Sequence, residues 1–320
     1  MTASVEYPQL RLGTAPDSWG VWNPGLDPLQ TPWTRYLDEV QAAGYRYSEL
    51  GPYGYLPTDP GVIRDEYAKR GLTLTGGTVF VALHKGKDAL VQAKADCDAE
   101  MATIGPLGAR HLVILPEGYT DFHGNLTASP SLTDDQWTAL TSGMSELGRY
   151  VADAYDAVLV FHTHADSNVG TADEIARFLD RTDPESVHLC LDTGHIAYCG
   201  ADNLAIIRDY GRRIAYVHLK QVDPAILRRV RDQRLGFAQA VRLGAMVEPP
   251  AGDPDMPAVL AALGALGREL FCIVEQDLYP CDPAVPLPIA TRTREYFEAC
   301  GLNVGRSPGG AAAPAGGGRS

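Results

Sequence analysis

Residues 159–169 read LVFHTHADSNV and set His162 and His164 two apart at the end of a short apolar run, in a chain with only eight histidines. Three further apolar runs finish on residues of the same chemical kind. VHLCLD finishes on Asp192, IAYVHL carries His218, and LFCIVEQ carries Glu275. One polar residue where a strand meets solvent needs no explanation; four strands in succession do. Two imidazoles and two carboxylates form a mixed nitrogen and oxygen set that suits Mn²⁺, Co²⁺, Fe²⁺ or Zn²⁺, whereas Mg²⁺ and Ca²⁺ prefer oxygen alone. Two carboxylates also balance a divalent charge, and coordination positions left open would let the ion polarise a substrate carbonyl.

Other polar residues gather near the same ends. His195, in DTGH, lies one short turn beyond Asp192 and could touch a ligand or the substrate, or only cap the helix that follows. Lys220, in HLK, faces the same side as His218 by the two-residue alternation of a strand, as a proton donor, as an acid or base if its pKa is lowered, or as a surface lysine. Glu49 in YSELG is a candidate carboxylate across the mouth, and His164 a candidate substrate contact. Trp19 and Trp22, in GTAPDSWGVW, offer apolar faces for a sugar or cyclitol ring, although core tryptophans look the same in a sequence.

The elements that must hold these residues are legible as alternation. Short β-rich runs at 10–15, 45–50, 72–80, 110–116, 157–162, 187–192, 214–219 and 270–276 alternate with amphipathic patterns such as 32–43, 86–104, 133–154, 171–180 and 286–300. Ser131, Thr133, Thr171 and Asp202 are of the types that cap helix starts, and AAGY, KRGL and EACG place glycine where helices stop. Eight βα units in about 300 residues predict a single-domain α/β fold, a (β/α)8 barrel over 1–304, with a doubly wound open sheet as second choice. Active sites of such barrels form at the carboxyl ends of the strands, where the candidate ligands lie. The longest interruption, 220–256, can hold a helix and a loop over the mouth. The Gly/Ala/Pro-rich tail 305–320 cannot bury apolar surface and is expected to be disordered.

Totals restrict the function class. With 40 acidic against 27 basic residues and a net charge of −13, the chain lacks the concentrated positive surface that nucleic acid or an anionic membrane requires. Six cysteines without CxxC spacing, no basic-then-apolar N-terminus and no long apolar run together point to a cytoplasmic protein with a small-molecule partner; a homo-oligomer is compatible with this.

The segments GTAPDSWGVW, ELGPYGYLPTDP, FHTHADSNVGT, LCLDTGHIAYCGADN, YVHLKQVD and VEQD together resemble the xylose isomerase-like barrel superfamily of sugar isomerases and epimerases, and within it the inosose dehydratases, over roughly residues 10–300. The resemblance implies a (β/α)8 TIM barrel and a divalent metal, Mn²⁺ or Co²⁺ in the dehydratases. It also implies a keto-sugar or keto-polyol substrate. In the superfamily the metal ligands are typically Glu, Asp, His and Glu from strands five to eight; Asp192, His218 and Glu275 match the last three, and His162 stands at the first. Epimerases of the superfamily commonly use the two metal-bound glutamates as opposed proton acceptors, so this departure favours elimination of water. Isomerisation or epimerisation through the same metal site is the alternative, and a non-catalytic sugar-binding subunit a further one. The dehydratases usually carry a compact HxHxGT, where this chain has the longer HTHADSNVGT.

Overall fold

A computed structural model describes residues 6–22 and 30–305. Apart from Gly305, the low-complexity tail lies outside the described residues. In chain order the strands are β1 (Tyr7–Thr14), β2 (Tyr47–Ser48), β3 (Thr73–Leu74), β4 (Gly76–Val81), β5 (His111–Pro116), β6 (Val158–His162), β7 (His188–Asp192), β8 (Ile214–Leu219), β9 (Gln221–Val222), β10 (Met246–Val247), β11 (Leu270–Val274) and β12 (Leu302–Asn303). The helices are α1 (Trp33–Ala42), α2 (Pro60–Arg70), α3 (Lys87–Ile104), α4 (Asp134–Tyr155), α5 (Ala172–Arg181), α6 (Thr193–Tyr198), α7 (Asn203–Tyr210), α8 (Pro224–Gln233), α9 (Phe237–Arg242), α10 (Met256–Gly264) and α11 (Pro286–Ala299).

Nine parallel strands run in the order β3-β2-β1-β11-β8-β7-β6-β5-β4, so the sheet curls round until its two ends meet. They meet within one stretch of chain, because only Thr75 separates β3 from β4. The predicted single strand 72–80 is therefore two half-strands: β3 pairs with β2, and β4 pairs with β5. Thr75 fixes the break by donating its amide to the Ser48 carbonyl while its hydroxyl meets the Tyr216 hydroxyl at 2.6 Å. The result is a nearly closed barrel, and the open doubly wound sheet is excluded.

Strand alternation now has a direct structural meaning. Ala15, Val113, Val160, Cys190, Tyr216 and Ile273 form their own buried cluster inside the barrel, apart from the larger core between strands and helices. Two residues further along, on the same side of each strand, come His162 after Val160, Asp192 after Cys190, His218 after Tyr216, and Glu275 after Ile273. An apolar floor thus carries a layer of candidate metal-ligand residues directly above it.

Helix punctuation follows the sequence with one exception. Thr133 and Thr171 each close a capping box with a residue three further on, and Asp202 caps α7. Ser131 caps nothing; it lies two residues before the true cap, with its amide on the Ser129 hydroxyl. The segment 220–256 holds more than one helix and a loop: α8, α9 and an antiparallel β9–β10 pair.

A carboxyl group lies buried between α3 and the barrel. Glu100 is 0 % exposed, and a Cβ at Gly77 would fall 1.8 Å from its Oε1, so the glycine makes the room it occupies. Neither oxygen meets a partner in good hydrogen-bond geometry. Burial pushes the group up to about 8, against the opposing pull of the nearby Thr78 amide. Between the ordinary value of 4.5 and about 8, the unfolded chain releases this proton while the folded chain keeps it, so Glu100 makes stability fall as pH rises. Glu100→Gln keeps the shape and removes that slope. Denaturant titration at pH 5 and at pH 8 should find E100Q gaining on the wild type by on the order of 3–4 kcal/mol between the two; an unchanged difference would mean that Glu100 is ionised in the fold.

Candidate metal centre and active site

A cavity of about 260 Å³ opens at the carboxyl end of the barrel, close to the lower end of the roughly 300–1,000 Å³ common for ligand pockets, a size for one small ring. At its base are His162, Asp192, His218 and Glu275, each offering a ligand atom within 4.8 Å of the others. His162 Nε2 lies 3.2 Å from Asp192 Oδ2, and His218 Nδ1 lies 3.7 Å from that oxygen and 2.9 Å from Glu275 Oε2. The four residues come from β6, β7, β8 and the end of β11, the four strands named from the sequence.

Two of the four side chains are held from behind. Asp192 caps α6, with Oδ1 accepting the His195 amide at 2.8 Å, which aims Oδ2 at the cluster. His218 Nε2 lies 3.1 Å from Glu49 Oε2, and Glu49 Oε1 accepts the Thr78 hydroxyl at 2.9 Å. The proton of His218 is thereby assigned to Nε2 and its Nδ1 lone pair to the cluster. Glu49, expected as a carboxylate across the mouth, thus has both oxygens engaged and stands behind a ligand.

Lys220 is 2 % exposed and faces Asp277 at 2.8 Å, Glu275 at 3.2 Å, Asp192 at 3.5 Å and Asp17 at 3.8 Å. Burial alone would lower its pKa, but the ring of carboxylates led by Asp192 and Asp277 holds it well above the ordinary lysine range. The lowered lysine needed for a general base is therefore not what this surrounding produces; Lys220 is a buried ammonium. Thr193 pins its backbone by donating its hydroxyl to the Lys220 carbonyl and accepting the Lys220 amide. Gly194 lets the stem pass, since a Cβ there would come within 2.5 Å of Lys220 Cγ.

The carboxylates differ in turn. Burial opposes ionisation at Asp192 and Glu275, but Lys220 and the imidazoles outweigh it: Asp192 sits well below the usual carboxylate range and Glu275 at about 2. Asp17 and Asp277 are pushed up by burial and then by their acidic neighbours. So much buried negative charge, centred on four convergent donors, is what a divalent cation would neutralise. His218 Nδ1 faces Glu275 Oε2 and Asp192 Oδ2 without a well-aligned hydrogen bond to either, which also fits a metal-ligand set.

His164 and His195 sit above this layer with ring centroids 4.0 Å apart. The Ala165 amide donates to His195 Nδ1 at 3.1 Å, which leaves the His195 proton on Nε2, 3.4 Å from Lys220 Nζ. His164 Nδ1 instead lies 2.6 Å from the Ala165 carbonyl, so it carries the proton and Nε2 is the bare nitrogen. Burial pushes His164 down to about 3 and His195 well below the ordinary histidine range, so both rings are neutral.

The two tryptophans part company. Trp22 lines the cavity, stacked on Tyr279 at 5.1 Å and on Phe237 at 5.8 Å. Trp19, expected beside the substrate, belongs to the core: it is 1 % exposed, meets Tyr36 edge-on and donates its indole N–H to Glu39. Asp17, Asp277 and Phe237 also line the cavity and were not singled out from the sequence. Asp277 lies two residues beyond Glu275, so continuing the strand alternation could have found it. Asp17 and Phe237 are placed by turns that carry no such period.

The family model described as "Xylose isomerase-like TIM barrel" matches residues 37–297. The inosose dehydratase of Geobacillus kaustophilus (strain HTA426) is 31% identical over 297 residues, covering 90% of this chain and 94% of the relative. That of Geobacillus thermodenitrificans (strain NG80-2) is 29% identical over 306 residues, covering 92% and 98%. Among solved structures, IolI protein with a binding zinc atom superposes with a TM-score of 0.65 at 17% identity, over 90% of this chain and 96% of that one. The probable 3-DHS dehydratase AsbF of Bacillus anthracis, involved in petrobactin synthesis, gives 0.67 at 11% identity, over 90% and 99%. From the closing of its barrel to the reach of the family match, the chain belongs to the xylose isomerase-like TIM barrel family.

Proposed function

We propose that this protein is a divalent-metal-dependent hydro-lyase that removes water from a keto-cyclitol of the inosose type. The observation that carries this reading is one arrangement: a two-histidine, two-carboxylate layer beneath a pair of neutral imidazoles, one with a bare nitrogen and one with an N–H. The length and identity of the inosose dehydratase relatives support the substrate class.

His162, Asp192, His218 and Glu275 would hold the ion, for which Mn²⁺ or Co²⁺ is our first choice and Zn²⁺ or Fe²⁺ the next. When bound, it supplies Lewis acidity toward the ketone oxygen and the neighbouring hydroxyl, which makes the adjoining C–H acidic. His164 Nε2 is the nitrogen free to accept that proton as the C–H bond breaks. Lys220 and the His195 Nε2–H are the donors available when the C–O bond to the β carbon breaks and the hydroxyl leaves as water. One C–H and one C–O bond are lost and a ring C=C is gained. Low basicity keeps both imidazoles uncharged beside the cation, and Asp277 and Asp17 fix the ammonium. Glu49 acts through His218 and is a positioning residue. Trp22 presents an apolar face to the C–H side of the ring.

Proton return without loss of a leaving group would make the same site an isomerase or epimerase. The presence of His162 where epimerases of the family carry a glutamate weighs against two opposed carboxylate bases. The six free cysteines suit a reducing compartment, and no helix among the described residues is long and apolar enough to cross a membrane; a cytoplasmic location is part of this reading.

Three outcomes are expected. Metal-loaded protein given 2-keto-myo-inositol should yield a product lighter by one water in mass spectrometry, and chelation should abolish it; a product of unchanged mass would establish the isomerase instead. Glu49→Gln should weaken metal affinity by about 10–100-fold, read by competition with a chromogenic chelator; unaltered affinity would remove Glu49 from its place behind His218. His164→Ala should lower kcat by roughly 10²–10⁴ with metal content intact; wild-type turnover would exclude it as the base.

A further inference from the structure

The segment that lengthens HTHADSNVGT contains Asp166, which holds a positive φ of 54°. Aspartate and asparagine are among the few non-glycine residues that tolerate this conformation. Its carboxylate Oδ2 accepts two hydrogen bonds from separate parts of the mouth, the Thr120 hydroxyl at 2.6 Å and the Phe237 backbone amide at 2.7 Å. Its carbonyl accepts the Tyr119 amide at 2.7 Å, and Ser167 pairs with Gly118 in an antiparallel bridge. The connections after β5, β6 and β9 therefore meet on one residue.

Other contacts close the same seam. Gly236 packs so tightly on the β5 connection that a Cβ on it would lie 2.9 Å from Gly124 Cα, and Arg242 of α9 donates to the Phe122 carbonyl at 2.5 Å. What the seam holds in place is Phe237. Its ring lies 5.1 Å from that of His164, 4.9 Å from that of His195 and nearly parallel to Trp22, with an interplanar angle of 9°. A displacement of the Phe237 amide would carry this ring away from both imidazoles.

We propose that Asp166 is a positioning residue which fastens α9 to the connection after β5, seats Phe237 over the two histidines, and so sets which ring the cavity admits. The fastening stands on the contacts alone; its bearing on a keto-cyclitol rests on the reading given above. The bonds from Thr120 and Phe237 converge on one carboxylate oxygen in a half-buried seam.

Three substitutions separate charge, hydrogen bonding and backbone. Asp166→Gly keeps the backbone freedom and loses the acceptor, Asp166→Ala loses both, and Asp166→Asn keeps an acceptor and tolerates the positive φ. Amide hydrogen exchange of the metal-loaded full chain reads the seam directly. Residues 118–127 and 236–242 should exchange at least about tenfold faster in D166G and D166A and return toward the wild-type rate in D166N. With 2-keto-myo-inositol, KM should rise about tenfold in D166G while kcat falls less, and D166N should recover most of the loss. Unchanged exchange in D166G overturns the fastening, and faster exchange with an unmoved KM overturns its role in ring selection. Failure of the dehydratase reading looks different, because the wild type itself would then leave this ketone intact while the exchange comparison still decides the seam.

Discussion

The charge at the top of the barrel is the constraint on which the rest depends. Asp192 and Glu275 lie close to Asp17, Asp277 and Glu49 at the buried base of the cavity, with the Lys220 ammonium facing four of these carboxyl groups. Ionised carboxylates brought together without water repel strongly, and burial raises the cost of each. The fold answers by ranking them. Asp192 and Glu275, which face the imidazoles as well as Lys220, stay ionised, while Asp17 and Asp277 are pushed toward protonation by burial. A divalent ion among the inner donors would relieve the remainder, so affinity for a cation is built into the barrel before any substrate arrives.

Rigidity comes from how little freedom two of the donors have. Asp192 cannot turn without giving up the start of α6, and His218 cannot turn without leaving Glu49. Glu49 is itself tied to Thr78 on β4, on the far side of the ring of strands. The closing point of the barrel and the orientation of a ligand on β8 are thus parts of one network. Here a defect in closure would be felt as a change in coordination, which is why Thr75, with no part in the chemistry, matters to the site.

The barrel and its ligand layer were legible in the sequence because both follow from a period of two. Apolar runs of the right length marked the strands, and the polar residue ending each of four runs projected to the same side as the apolar residue two before it. Trp19 was misplaced for a related reason: it is an aromatic residue in a turn, where no period says which way the ring points, and it turned inward to Tyr36 and Glu39. Asp166 and Phe237 were missed because their meaning is long-range. They lie 71 positions apart and meet through one hydrogen bond, for which neither neighbourhood carries a local signal. The break at Thr75 was missed likewise, since it exists only because two different neighbours claim the two halves of the run.

These two kinds of residue divide the work of the molecule. The floor and the candidate ligand layer are fixed by the strands, which bring two imidazoles and two carboxylates together at one end of the barrel. The upper wall of the cavity belongs instead to Trp22, Phe237 and the connections that carry them. These are joined to one another by side-chain and backbone bonds outside the sheet. Changes there cost little in the barrel core, because the residues involved pack in a cluster separate from it. Solved barrels at 11–18% identity share the fold of this one.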